Sequence, residues 1–145
     1  MSFATSKEDF PPFFAVAPSN MHDSKLYVTT VQGIKIRQPG RKSLNKPKIM
    51  NADAAYDSRE IRKYNRKRGI KSNISENKRN RRKGKKRGRP YRMKKEEYRY
   101  RKSVERLFSW LKAFKRIVVR YEKLANTYTA FILLACILIL WRVLK

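Results

Sequence analysis

Cysteine and histidine are almost absent from this sequence, since Cys136 and His22 are the only examples among its 145 residues. A single cysteine excludes an internal disulfide framework and a zinc site built from several cysteines. Any metal ion would therefore have to rely on carboxylate ligands. The N-terminus also lacks a basic segment followed by an apolar run, so we predict no secretory signal.

Acidic residues are scarce as well. The chain has 11 aspartates and glutamates against 38 lysines and arginines, which gives a formal net charge of +27. Such a charge repels itself in a compact state, and a polyanion is the obvious partner. Because 41% of the residues are apolar, the chain can still bury a core, which excludes a purely disordered basic tail. These features predict a small, single-domain intracellular protein that binds nucleic acid.

The cations are concentrated in the middle of the chain. Residues 59–102 carry 22 of them, against 8 on either side, and nine of the twelve residues in Lys78–Arg89 are basic. No apolar periodicity occurs there, so we predict a flexible basic arm over about 75–92 that contacts DNA phosphates. The alternative is that this segment resembles a nuclear-localisation signal or is simply a solvated loop. The DNA-binding cations predicted in the arm are Lys78, Arg79, Arg81, Arg82, Lys83, Lys85, Lys86, Arg87 and Arg89.

Strand patterns come first along the chain and helical patterns come last. A helix is predicted over Ser58–Arg68, ended by Gly69, while Asp23 to about Gly33 fits a short helix or a strand equally well. The predicted strands are Phe13–Ala17, Lys46–Ala52 and Ile70–Ile74. Together with two C-terminal helices, this order predicts a three-layer α/β domain.

Both C-terminal helices are predicted to be long. The first runs from about Lys95 to Arg120, and its apolar face consists of Val104, Leu107, Leu111, Phe114 and Val118. The second covers about 126–144 and includes an uninterrupted apolar run, Ala130–Trp141. That run is shorter than the ~18 residues expected of a membrane span. We therefore predict a buried core helix and no stable membrane insertion, although hydropathy alone would favour a span.

Because the chain has so few acidic residues, the function of each one that lies in or next to a predicted strand or helix can be considered individually. Asp53 directly follows the apolar segment Lys46–Ala52, and ligands of open α/β sheets bind at the carboxyl ends of strands. We assign Asp53 to a metal ion and Asp57 to the cap of the following helix.

A second set of polar residues shares one side of the first C-terminal helix. At about 100° per residue, Tyr98, Arg101, Glu105 and Lys112 fall within an arc of roughly 60°. An ordinary amphipathic helix with Glu105 paired to Arg101 explains this spacing as well as a functional stripe does.

These residues carry a resemblance to a known family. Tyr98-x2-Arg101-x3-Glu105-x6-Lys112 reproduces the Y-(2)-R-(3)-E-(6)-K signature of DDE-class insertion-sequence transposases. The sequence is similar to the group built on insertion sequences four and five. Three further segments match in the same order, namely Pro18–Ser24 (PxNxHDs), Asn51–Ser58 (aDkgYDs) and Arg120–Glu122 (RYEk).

The resemblance implies a ribonuclease H-like catalytic domain that cleaves and transfers DNA strands at insertion-sequence ends. It implies Asp53 as the second catalytic acid and Glu105 as the third, both holding Mg²⁺ or Mn²⁺, with Tyr98, Arg101 and Lys112 on DNA. It further implies double-stranded DNA (transposon ends and target) as partner, possible homo-oligomers, and a cytoplasmic, nucleoid-associated location. For His22 we expect a structural hydrogen bond rather than a metal.

The first catalytic aspartate of the family has no counterpart here. It is expected on the strand before Phe13–Ala17, yet residues 1–7 contain no acid, and Glu8 and Asp9 fall in a predicted turn. We therefore expect residues 1–145 to be a partial catalytic domain, truncated at the N-terminus with the first strand missing or incomplete, and inactive. In that case neighbouring strands keep open edges. The alternative is a non-catalytic basic DNA-binding protein.

Overall fold

The computed structural model describes residues 2–6, 9–18, 20–77 and 93–143. Six short strands and six α-helices form there, and short 3₁₀ turns join several of them. The strands are β1 Ser2–Ala4, β2 Phe13–Ala15, β3 Ile36–Gln38, β4 Arg41–Leu44, β5 Ile49–Ala52 and β6 Lys71–Ile74. The helices are α1 Tyr27–Gly33, α2 Arg59–Lys67, α3 Lys95–Tyr98, α4 Lys102–Leu111, α5 Lys115–Val118 and α6 Ala125–Val143.

The described strands form three two-stranded sheets rather than one continuous sheet. β1 pairs with β2 and β3 with β4, both antiparallel, while β5 and β6 are parallel. Helix α2 connects β5 to β6, as a parallel pair requires. The mixture of helices and strands agrees with an α/β domain, whereas the ribonuclease H-like arrangement and the truncation stay predictions.

The β5–α2–β6 unit follows the sequence pattern closely. Ser58 accepts a hydrogen bond from the Ile61 amide and so caps α2, and Gly69 ends the helix with a φ of +67°, which glycine adopts without a steric penalty. The prediction that Asp57 caps this helix is wrong. Asp57 accepts a hydrogen bond from Arg62 Nε at 2.7 Å, because that guanidinium is buried and needs a carboxylate partner.

The region from Asp23 to Gly33, which fitted helix or strand, is helical. A 3₁₀ turn over Asp23–Leu26 leads into α1, which buries Tyr27 and Val31 against α2, β5 and β6. Tertiary burial thus outweighs the β preference of its branched residues. This core consists of Tyr27, Val31, Ala52, Ile61, Ile70 and Ile74.

The prediction of one continuous helix over Lys95–Arg120 is wrong. A 3₁₀ turn at Arg99–Arg101 separates α3 from α4, and extended backbone at Phe114 separates α4 from α5. In one straight helix Leu111 and Ile117 would lie about 120° apart, whereas the break lets both pack against α6. The predicted inward position of Val118 is also wrong, since Val118 is 58% exposed and Ile117 is buried instead.

Helix α6 is buried on one side only. Tyr128, Ile132, Ala135, Cys136 and Ile139 pack against α4 and α5, while the opposite side leaves large apolar side chains exposed. These exposed residues are Leu133, Leu134, Ile137, Leu138 and Trp141. The predicted buried core helix is therefore correct for one side and wrong for the other. By length and composition Ala125–Arg142 also qualifies as a membrane-crossing helix, which on its own is weak evidence for a span.

Candidate functional site

Asp53 lies where the chain leaves β5. Its backbone is extended, and its Oδ1 atom accepts a hydrogen bond from the Ala54 amide at 2.7 Å, which caps the 3₁₀ turn Ala54–Tyr56. The other carboxylate oxygen, Oδ2, contacts Arg101, and the side chain is 52% exposed. The carboxylate is thus oriented by the backbone and still accessible to a ligand.

Glu105 lies in the first turn of α4, one helical turn after Arg101. The Arg101 Nη2 atom lies 3.1 Å from Glu105 Oε1 and 3.4 Å from Asp53 Oδ2. Because both contacts involve the same nitrogen, the two carboxylate oxygens cannot be farther apart than the sum of these distances. The fold therefore brings together two acids that are far apart in sequence, around one positive charge.

The ion pairs of Arg101 with the two carboxylates are largely exposed to solvent. Its side chain is 36% exposed and Glu105 is 59% exposed, and ion pairs with such exposure contribute about 0–1 kcal/mol. Either ion pair can therefore separate at little cost in free energy. The ion pair between Glu105 and Arg101 that is expected of an amphipathic helix is present. Arg101 also contacts Asp53, so the group has three members.

Tyr98 supports Arg101 from the other side. Its ring centroid lies 5.9 Å from the guanidinium carbon, within the range of a cation–π contact. The Tyr98 hydroxyl donates to Ser75 Oγ at 3.4 Å, which links α3 to the segment after β6. Three of the four residues in the predicted stripe are thus in mutual contact through Arg101.

Lys112 lies apart from this group. It follows the last residue of α4, and its side chain is exposed. It lies seven positions after Glu105, which corresponds to about 10 Å along a helix. A role of Lys112 on DNA stays a prediction, at a point farther along the DNA from the two carboxylates.

A cavity of about 270 Å³ opens beside the two acids. Tyr56, which the sequence reasoning did not single out, lies on its wall. Burial raises the pKa of the Tyr56 hydroxyl, a hydrogen bond with Ser2 partly offsets this, and the charges of Asp23 and Asp53 raise it further. The phenol is therefore a neutral hydrogen-bonding group at the edge of the site. The signal available in the sequence was the tyrosine of the matched segment Asn51–Ser58.

The remaining predicted residues lie elsewhere. His22 Nδ1 is 3.1 Å from Ser24 Oγ, which agrees with the structural hydrogen bond expected of it. Asp9 forms a two-point ion pair with Arg106, at 2.6 and 2.9 Å, and does not line the cavity. The nine cations of Lys78–Arg89 and most of the predicted arm over 75–92 fall outside the described residues.

The donor set suits one hard cation better than two. Among the described residues no three His, Cys, Asp or Glu side chains are grouped closely enough to hold a metal ion. Two carboxylates are nevertheless a normal protein contribution to Mg²⁺, which keeps water ligands and takes others from substrate phosphates. Asp53 and Glu105 thus fit a single ion shared with DNA, and strand β1 adds no third acid.

The comparisons with known proteins show that the class of protein is the DDE transposases. The family model for the transposase DDE domain matches residues 4–140, so the chain belongs to that family. The chain is also similar to a protein assigned as the transposase of insertion sequence element IS402 from Burkholderia cepacia, with 36% identity over 102 residues.

The match to the IS402 relative is partial in length. It covers 70% of this chain but only 43% of the relative, so the chain spans less than half of that protein. No solved structure matches the chain. The resemblance to insertion-sequence transposases is therefore confirmed for the family, while the roles of individual residues stay predictions.

Proposed function

We propose that this chain functions in DNA transposition as the part of an insertion-sequence transposase that carries the second and third catalytic acids. Asp53 and Glu105 bind a divalent cation, and the basic residues hold double-stranded DNA at transposon ends and at the target. The observation that carries this proposal is the shared contact of both carboxylates with Arg101 Nη2. We expect the protein in the cytoplasm, associated with the nucleoid.

In this proposal the chain's own residues orient the reacting DNA. Asp53 and Glu105 would hold a Mg²⁺ or Mn²⁺ ion, which would supply positive charge for activation of the attacking hydroxyl. The Ala54 amide keeps Asp53 in place, and α4 fixes the direction of Glu105. Arg101 leaves its position between the acids and pairs with a phosphate, for which its planar guanidinium is well suited.

We further propose that residues 1–145 alone do not catalyse strand transfer. A two-ion mechanism needs an acid that bridges both ions, and Asp53 and Glu105 provide only two carboxylates. Strand β1 has no acid, and Asp9 is occupied by Arg106. The alternative function, a non-catalytic basic DNA-binding protein, is favoured by the nine cations of Lys78–Arg89.

A strand-transfer assay tests the catalytic part of the proposal. The 145-residue chain is incubated with its cognate ends, target DNA and Mg²⁺ or Mn²⁺, alongside the Glu105→Gln variant. We expect no metal-dependent joining with either protein, because the third acid is missing. Joining by the original chain that disappears in Glu105→Gln would contradict the proposed inactivity and would establish Glu105 as catalytic.

Cation binding tests the site independently of catalysis. Replacing Arg101 with Gln removes a positive charge from between the acids, so we expect Mn²⁺ to bind about three- to fivefold more tightly in the absence of DNA. The Arg99→Gln variant removes the same charge from the same turn and serves as the control. Electron paramagnetic resonance titration of free Mn²⁺ measures both. Equal affinities for the two variants would show that Arg101 does not occupy the cation position.

A further inference from the structure

Asp53 and Glu105 belong to regions of the molecule that pack around different hydrophobic cores. Asp53 follows β5, whose Ala52 lies in the core shared by α1, α2, β5 and β6. Glu105 lies on α4, whose Leu107 and Leu111 lie in the core shared by α4, α5 and α6. Apolar packing inside either core therefore does not set the spacing of the two carboxylates. Contacts between the two regions set it.

The side chain of Asn73, on β6, makes one such contact and is only 5% exposed. Its Oδ1 atom accepts a hydrogen bond from the Lys94 amide at 2.9 Å, and its Nδ2 atom donates to the Lys94 carbonyl at 3.0 Å. Nδ2 also donates to Asn51 Oδ1 at 2.7 Å. The amide group thus uses both of its hydrogens and is held at three points, which fixes its orientation.

The β5 side of this contact leads directly to Asp53. Asn51 lies opposite Asn73 in the parallel β5–β6 pair, and it precedes Asp53 by two residues. The backbone pairing of the two strands and the hydrogen bond between the two asparagine side chains therefore act at the same place. Asn73 is fixed relative to the end of β5.

The other side of the contact leads to Glu105. Lys94 directly precedes α3, and its carbonyl also accepts a hydrogen bond from the Tyr98 amide at 3.0 Å, which closes the first turn of α3. From there the chain continues through the 3₁₀ turn at residues 99–101 into α4. Because both backbone polar groups of Lys94 bond to the Asn73 amide, the start of this helical segment is attached to β6.

Two further polar contacts between these regions are weaker. The ion pairs of Arg101 with Asp53 and Glu105 are largely exposed, and in the proposed function Arg101 leaves them for a phosphate. The hydrogen bond donated by the Tyr98 hydroxyl is long, at 3.4 Å. The Asn73 contact is shorter, buried and does not involve Arg101. It therefore persists when Arg101 moves.

We propose that Asn73 is a positioning residue, which sets the distance between Asp53 and Glu105 so that both reach one divalent cation. Its side-chain amide exchanges a pair of hydrogen bonds with Lys94, as a neighbouring strand residue would. The amide is uncharged, so it orders the site without competing with the cation for the carboxylates. The role in cation binding rests on the proposed function, whereas the positioning itself can be measured without a cation.

A distance measurement tests the positioning in the absence of metal and DNA. Nitroxide labels are attached at Lys63→Cys on α2 and Ser109→Cys on α4, which are exposed positions, after the buried Cys136 is replaced by Ala. Pulsed electron paramagnetic resonance gives the distribution of label distances. Asn73→Leu keeps the side-chain volume and removes the hydrogen bonds, so we expect the distribution to widen at least about twofold. An unchanged width would overturn the proposal.

Asn65→Leu is the matched control, because it removes another buried amide from the same β5–α2–β6 unit. Asn65 is 0% exposed and forms side-chain hydrogen bonds with Tyr27 and Ser72, which lie in the same region as β5. We expect the distance distribution of this variant to match that of the labelled parent chain. Equal widening by Asn65→Leu and Asn73→Leu would indicate a general loss of stability and would overturn the proposal.

A second variant decides the question if Asn73→Leu does not fold. Lys94→Pro leaves the buried amide in place and removes the N–H group that donates to Asn73 Oδ1. The φ of Lys94 is −84°, close to the value of about −65° that proline imposes, and proline is tolerated at the start of a helix. We expect this variant to widen the distance distribution as well. An unchanged width would then overturn the proposal.

Cation affinity connects the positioning to the proposed function. In a titration with Mn²⁺, we expect Asn73→Leu to bind about tenfold more weakly than the unchanged chain, since groups that orient metal ligands contribute at least this much to affinity. Asn65→Leu should bind as the unchanged chain does. Equal affinity of Asn73→Leu and the unchanged chain would contradict the proposal. If the unchanged chain bound no Mn²⁺, the proposed function would fail, and the distance measurement would still decide the role of Asn73.

Discussion

Removing six cations from the predicted arm is expected to weaken DNA binding about a thousandfold at low salt. Each neutralised phosphate contributes about 0.9 to the slope of log K against log salt concentration, so the slope should fall by about 5. The effect should be the same for every DNA sequence, because phosphate contacts carry no sequence information. The residues replaced by Gln are Arg81, Arg82, Lys83, Lys85, Lys86 and Arg87.

The matched control removes the same charge from another part of the chain. Fluorescence anisotropy with a labelled 30-base-pair duplex, between 50 and 200 mM salt, compares the two variants. We expect the control to lose no more than about tenfold, because dispersed cations act only through the overall field. The control residues, all exposed, are Lys25, Lys35, Arg37, Arg41, Lys42 and Lys48. Equal losses would mean that net charge, and not the arm, determines the affinity.

Replacing Asp57 with Ala is expected to destabilise the fold by about 3 kcal/mol. The Asp57 carboxylate accepts hydrogen bonds from Arg62 Nε at 2.7 Å and from the Asn77 amide at 2.9 Å. The side chains of Asp57 and Arg62 are only 11% and 9% exposed, so the variant leaves a buried guanidinium without its carboxylate. Urea unfolding followed by circular dichroism measures the loss.

A double variant distinguishes the buried charge from other effects at this position. Asp57→Leu combined with Arg62→Met removes both charges, and we expect a loss of about 1 kcal/mol because no charge remains buried. Glu60→Ala, an exposed acid on the same helix, should change the free energy of unfolding by less than about 0.5 kcal/mol. If the double variant were as unstable as Asp57→Ala, the ion pair would not be the source of the stability.

Local signals in the sequence predicted the elements around the site well. The apolar segment before Asp53, the helical pattern that begins at Ser58 and the stop at Gly69 are all short-range features, and each produces the expected strand, helix start or helix end. The spacing of Tyr98, Arg101 and Glu105 places them in contact because it covers two helical turns. Such features depend only on neighbouring residues.

Predictions that depend on residues far apart in the chain failed, because tertiary packing decided the outcome. The break at Phe114 is favourable because it brings Leu111 and Ile117 onto the same helix, α6, which local periodicity cannot indicate. Asp57 was predicted to cap α2, but Ser58 one residue later is the cap, and the Asp57 carboxylate pairs with Arg62, which becomes buried on folding. The exposed side of α6 likewise depends on which elements are available to cover it.

The sequence by itself determined the family and the location of the positive charge, and it predicted which two acids bind a cation. These properties follow from residue types and from spacings of a few residues. Only the tertiary structure decided that Asp53 and Glu105, 52 positions apart, meet at one nitrogen of Arg101. It also decided that β1 and the end of β5 line one cavity. Both facts depend on how separate elements pack, because burial of apolar surface acts between residues that are distant in the chain.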